Sequence, residues 1–182
     1  MEYKKTEIPG VFIIEPRVFN DARGYFMEAW KGAEFEQHIG HVDFVQDNES
    51  KSTKGVLRGL HFQKGEYSQA KLVRVIKGRV LDVAVDMRQS SPTFGRHVAV
   101  ELSDENHRQF FIPRGFAHGF LVLSDEAIFI YKVDNPYMPQ AESGVKWNDP
   151  DLNIQWPIDS MEVLTSEKDL AQPAFKNAYY FK

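Results

Sequence analysis

The chain contains no cysteine. That excludes disulfides, thiolate metal sites and a cysteine nucleophile, and it fits a reducing cytoplasm. Long apolar runs are missing as well. The longest, from Phe120 to Val133, is broken by Ser124-Asp125-Glu126, which reads as a turn between two strands. A membrane-spanning helix needs about 20 unbroken apolar residues. The amino terminus, Met1-Glu2-Tyr3-Lys4-Lys5-Thr6-Glu7, lacks an apolar signal core. Nor is there an excess of positive charge: 22 Lys and Arg stand against 26 Asp and Glu, for a net −4. Nucleic acid and membrane are therefore not expected partners, and an anionic ligand needs a local basic pocket. There is no phosphate-cradling Gly-x-x-x-x-Gly-Lys loop and no dinucleotide fingerprint, so phosphate binding falls to side chains.

What is present is ordinary for a globular domain. The chain has 182 residues, 42% hydrophobic and 26% charged, which fits one domain over 1–182 with a sizeable core. Strand signals dominate. Val11 to Ile14, Gly24 to Trp30, Asp43 to Asn48, Val56 to Phe62, His97 to Leu102, Gln109 to Ile112, Ala117 to Leu123 and Ala127 to Val133 all read as short strands. Lys71 to Ile76 and Arg79 to Asp86, joined by Lys77-Gly78, form the clearest hairpin pattern. Helix is scarce: one short piece ends near His38-Ile39-Gly40, and another starts at Ser166, with Ser166 as N-cap and Asp169 at the third helical position. Ser143 to Trp156 reads as loop. The pattern predicts an all-β jelly-roll sandwich or barrel with a few short helices, a fold that takes ligands between sheets or at a barrel mouth.

Two segments carry the chemistry. The first is Gly55-Val56-Leu57-Arg58-Gly59-Leu60-His61-Phe62-Gln63, followed by Lys71; the second is Phe111-Ile112-Pro113-Arg114-Gly115-Phe116-Ala117-His118-Gly119-Phe120, followed by Tyr131. They supply a base, a cation for a developing oxyanion and a phenol able to return a proton, the equipment for moving a proton beside a carbonyl. Strict alternation puts Arg58, Leu60 and Phe62 on one face and His61 and Gln63 on the other; a bulge at Gly59 changes that. Asp82, Asp86 and Asp169 are all available to orient His61. Arg23, Arg58 and Lys168 are suited to phosphate oxygens, and a loop tyrosine at Tyr137 to a nucleobase face. His38, His41, His97 and His107 lie on polar segments and read as surface residues.

Pro113-Arg114-Gly115-Phe116-Ala117-His118 is similar to the second metal motif of the cupins. The earlier strand, however, gives His61-Phe62-Gln63, with glutamine where metal-binding cupins place a second histidine, so a first shell is incomplete. Read in order along the chain, Asp21-Ala22-Arg23-Gly24-Tyr25-Phe26, Phe44-Val45-Gln46-Asp47-Asn48, the His61 and His118 segments, Lys71-Leu72-Val73-Arg74-Val75 and Leu164-Thr165-Ser166-Glu167-Lys168-Asp169 closely resemble the dTDP-4-dehydrorhamnose 3,5-epimerase family, from Pro9 to Phe175. The resemblance implies a cytoplasmic, cupin-like homodimer without metal or organic cofactor. It would invert C3 and C5 of dTDP-4-dehydro-6-deoxy-α-D-glucose on the route to dTDP-L-rhamnose.

The same resemblance implies His61 as base, Asp169 as its orienting carboxylate, Lys71 as enolate stabiliser and Tyr131 as the acid on the opposite face. Gln46, Asp47, Asn48, Arg58, His118, Glu142 and Lys168 match substrate-binding positions, and Tyr137 matches the aromatic that stacks on thymine. Arg23 and Glu28 match residues that reach the neighbouring subunit's site. The alternatives are an epimerase acting at C3 or C5 alone, a metal-dependent cupin, and a sugar-nucleotide binder without catalysis.

Overall fold

The computed structural model describes residues 1–159 and 161–182. Its strands are β1 (Glu2–Lys5), β2 (Phe12–Glu15), β3 (Val18–Asp21), β4 (Gly24–Met27), β5 (Gln46–Thr53), β6 (Leu57–Gln63), β7 (Lys71–Lys77), β8 (Arg79–Asp86), β9 (His97–Ser103), β10 (Gln109–Ile112), β11 (Phe116–Val122), β12 (Glu126–Val133) and β13 (Glu142–Gly144). The helices are α1 (Gly32–His38) and α2 (Glu167–Leu170). A six-stranded sheet runs β1-β2-β10-β7-β12-β5, and a five-stranded sheet runs β13-β6-β11-β8-β9. Both are antiparallel. β3 and β4 form a separate hairpin.

The sheets meet face to face over Val73, Val75, Val80, Ala84, Val100, Phe110, Phe120 and Phe129. Their outer faces are covered too. Phe35 of α1 packs with Ile14, Leu72 and Phe111 on the six-stranded sheet. Val145, Leu152, Trp156 and the carboxy-terminal aromatics close over Leu57, Leu60, Val83 and Leu121 on the five-stranded one. Burial on both faces is why β10 and β11 read as continuous apolar runs rather than alternating ones.

Three sequence expectations are corrected. β7 and β8 are not a hairpin: β7 pairs with β10 and β12, whereas β8 pairs with β11 and β9. The chain crosses between sheets at Gly78, whose φ of +80° and whose closeness to the Glu126 carbonyl (2.0 Å from a built Cβ) leave room for glycine alone. β5 extends to Thr53, beyond the expected Asn48. At the start of the expected Ser143–Trp156 loop, Glu142–Gly144 adds an edge strand to β6.

Candidate active site

A cavity of about 680 Å³ lies between the sheets. Its five-stranded wall carries Arg58 and His61 on β6 and His118 on β11; its six-stranded wall carries Asn48 on β5, Lys71 on β7 and Tyr131 on β12. Glu142 and the Thr165–Asp169 segment line the remainder. Arg58 and His61 share the cavity although they are three residues apart. The pairing of β6 with β11 shifts register between His118 opposite His61 and Phe120 opposite Arg58. This bulge turns both side chains inward and sends Leu57, Leu60 and Phe62 into the outer core.

His61 Nε2 is hydrogen-bonded to Asp169 Oδ1. Asp169 sits at the third position of α2, where its backbone N–H donates to the Ser166 hydroxyl (3.1 Å) and that hydroxyl donates to Asp169 Oδ2 (2.8 Å). The cap thus starts the helix and fixes the carboxylate together. Burial works to raise the Asp169 pKa, but hydrogen bonds from His61 and Ser166 and the charge of His61 leave it below the usual carboxylate value. Asp169, not Asp82 or Asp86, is therefore the partner of His61. Asp82 receives His118 Nε2 at 2.9 and 3.0 Å, both residues being buried. Asp86 is occupied by Arg88, Ser91 and Thr93. For His118, desolvation outweighs the pull of Asp82, and its pKa falls.

Lys71 is not a solvated strand end. Its ammonium is enclosed, and burial lowers its pKa to about 8 against the attraction of Asp82 and Glu142. Its Nζ stands 5.9 Å from the centre of the Tyr131 ring. Burial raises the Tyr131 pKa, with Arg58 opposing and Glu142 assisting, so the phenol keeps its proton at neutral pH. Glu142 accepts from the Tyr137 hydroxyl (2.6 Å) and pairs with Lys168. Although burial favours its neutral form, these partners hold its pKa below the ordinary value. Arg58 is held by Ser52 (Nε to Oγ 3.1 Å).

The remaining predicted residues lie elsewhere. Gln46 sits at the rim, bonded to Asn48 (2.7 Å) and to the Tyr137 backbone N–H (3.3 Å). Asp47 pairs with Lys132 at 2.9 Å and lines, with Trp30 and Arg74, an adjoining cleft that shares Asn48, Glu49 and Tyr131 with the cavity. Arg23 and Glu28 are on or beside the β3–β4 hairpin, away from the cavity, with Arg23 paired to Asp21 at 2.6 Å. Sequence reasoning missed the Asp82–His118 pair; its one signal was a carboxylate inside the apolar run Val80 to Val85.

A carboxylate-oriented histidine on one wall faces a half-buried lysine and a protonated phenol on the other. Such a set, held between the sheets of a β-sandwich, is equipped to move protons beside a carbonyl. The family model described as dTDP-4-dehydrorhamnose 3,5-epimerase matches residues 5–177, and the chain belongs to that family. The dTDP-4-dehydrorhamnose 3,5-epimerase of Shigella flexneri is 57% identical over 182 residues, covering 100% of this chain and 99% of its own. The crystal structure of dTDP-4-dehydrorhamnose 3,5-epimerase from Elizabethkingia anophelis NUHP1 matches with a TM-score of 0.93 at 54% identity, over 98% of this chain and 99% of that one. That of dTDP-6-deoxy-D-glucose-3,5-epimerase from Legionella pneumophila Philadelphia 1, in complex with dTDP-4-keto-L-rhamnose, matches with a TM-score of 0.93 at 48% identity, over 97% and 93%.

Proposed function

We infer that the cavity binds dTDP-4-dehydro-6-deoxy-α-D-glucose and inverts it at C3 and C5 to dTDP-4-dehydro-β-L-rhamnose, a step of dTDP-L-rhamnose biosynthesis. The observation that carries this is the placement of His61 and Tyr131 on facing sheets. A ketone at C4 acidifies the hydrogens on both flanking carbons, so one base and one oxyanion stabiliser serve two inversions. His61 removes the proton, and the charged Asp169 stabilises the imidazolium that forms. Lys71 meets the enolate oxygen at C4. Inversion requires the proton to return from the other face, and the position of Tyr131 on the sheet opposite His61 supports it as that acid. Only protons move, so the balance of the reaction requires no electron carrier.

Arg58 and Lys168 of the cavity lining supply positive charge for the diphosphate, and Tyr137, 53% exposed and tied by its hydroxyl to Glu142 of that lining, stacks on thymine. The protein works in the cytoplasm as a homodimer. Its hairpin exposes Phe19, Tyr25 and Phe26, an apolar surface suited to a second copy, and carries Arg23 and Glu28 toward the neighbour's cavity. Among the described residues, no helix is long and apolar enough to cross a membrane.

The test is NMR of the 4-keto sugar nucleotide in D₂O with chelator-treated enzyme. Deuterium at both C3 and C5, with a reductase trapping the L-rhamno product, is the expected result. Exchange and inversion at one carbon alone would make this a single epimerase. Loss of activity on chelation, restored by metal, would favour the metal-dependent cupin.

A further inference from the structure

Gln63 occupies the position where metal-binding cupins carry a histidine, and the reaction above gives it no task. Yet it is among the most buried polar side chains of the protein, 3% exposed. Its amide makes three bonds, all to backbone. Nε2 donates to the Tyr67 carbonyl (2.7 Å) and to the Pro136 carbonyl (3.1 Å), while Oε1 accepts from the Met138 N–H (2.6 Å). Pro136 and Met138 are the two neighbours of Tyr137. One side chain on the strand that bears His61 therefore clasps the chain on both sides of the rim tyrosine. Only a carboxamide donates to two carbonyls and accepts an N–H at once, so a histidine there could not make all three bonds.

We propose that Gln63 is a positioning residue for nucleotide binding. It holds the Pro136–Met138 backbone so that the Tyr137 ring is presented to the base before ligand arrives. The inference rests on the reading that Tyr137 stacks on thymine. Without the clasp, Tyr137 keeps the bond of its backbone N–H to Gln46 and of its hydroxyl to Glu142, but its ring must be ordered when ligand binds, which costs affinity rather than chemistry.

The experiment is calorimetric titration of dTDP, with steady-state kinetics, on Gln63→Met, Tyr137→Ala and the double variant. Gln63→Met is expected to weaken dTDP binding and raise KM about tenfold, leaving kcat within about twofold. In the Tyr137→Ala background, Gln63→Met should cost nothing further. An unchanged dissociation constant in Gln63→Met, or full additivity in the double variant, would overturn the inference while leaving the stacking reading intact. Unchanged dTDP binding in Tyr137→Ala would overturn both. Should Gln63→Met fail to fold, Gln63→Glu keeps the acceptor for Met138 and removes both donors; its loss of affinity must likewise vanish in the Tyr137→Ala background.

Discussion

His61 and Tyr131 look into one cavity from opposite sheets, His61 from β6 and Tyr131 from β12. In the proposed mechanism, removal and return of a proton fall to different walls, and the two events can be separated. Tyr131→Phe removes the acid but not the base, the carboxylate or the lysine. The expected product is starting sugar carrying solvent deuterium: exchange continues because His61 returns the proton to the face it came from, while inversion drops by about a hundredfold or more. NMR of recovered substrate in D₂O reads both. Inversion at the wild-type rate would remove Tyr131 from the mechanism.

On the other wall, His61→Asn keeps the size of the side chain and abolishes the base. Turnover and deuterium exchange should both vanish, while the dissociation constant for dTDP stays within a few-fold, since nucleotide contacts lie elsewhere. Asp169→Asn should lower kcat by roughly 10² to 10⁴, the range associated with a general base and the group that orients it. Because Ser166 both caps α2 and bonds Asp169, Ser166→Ala should cost activity in the same direction but less. A His61→Asn protein with full activity would sink the mechanism.

The depressed pKa of Lys71 predicts two opposite responses to pH. The proposed mechanism needs the ammonium, so kcat/KM, which reports the free enzyme, should fall as pH rises through about 8. In Lys71→Arg, any residual activity should lose that alkaline limb, because guanidinium stays charged. Stability runs the other way. The folded group titrates at about 8 and the unfolded one near 10.5, so between those values the unfolded chain binds more protons and stability increases with pH. Lys71→Met removes a buried charge and should stabilise the fold at pH 7 by roughly 1–3 kcal/mol, measured by urea denaturation. A kcat/KM flat to pH 9.5 would show that Lys71 does not titrate as its burial requires.

How much of this was legible depended on whether a feature is local. Gln109–Ile112 and the β11 run announce themselves, since both faces are covered and nearly every side chain is apolar, and β12 does so by its apolar stretch Ala127 to Ile130, buried at alternate residues. The Ser166 cap and the place of Asp169 in its helix are also local, set by the spacing Ser-x-x-Asp. Partnership is not. Alternation in β7 and β8 marks two extended segments and says nothing of which strand each will pair with, so a crossing between sheets at Gly78 resembles a hairpin turn. The bulge opposite His118 likewise brings Arg58 beside His61 where plain alternation separates them. Asp82 lacked a visible partner because His118 reaches it across the β8–β11 pairing, 36 residues on. The Glu49–Thr53 half of β5 was missed because one face lines a polar cavity and the other meets solvent, leaving no apolar stripe.

The hairpin raises the last question, where Arg23 acts. Within one chain its side chain is 89% exposed and paired with Asp21, remote from the cavity that its matching motif assigns it to. In the proposed homodimer the conflict disappears: the β3–β4 arm, with Phe19, Tyr25 and Phe26 bare, would serve the partner's cavity rather than its own. In that case Arg23→Ala and His61→Asn damage a site from different subunits. A mixed dimer then contains one site with both lesions and one with neither. Co-expression with two tags, followed by purification on both in turn, isolates that dimer. It should show about half the activity of the wild-type dimer, although each parent variant is nearly inactive. If both residues served the same chain's site, the mixed dimer would hold two damaged sites and stay at the level of its parents.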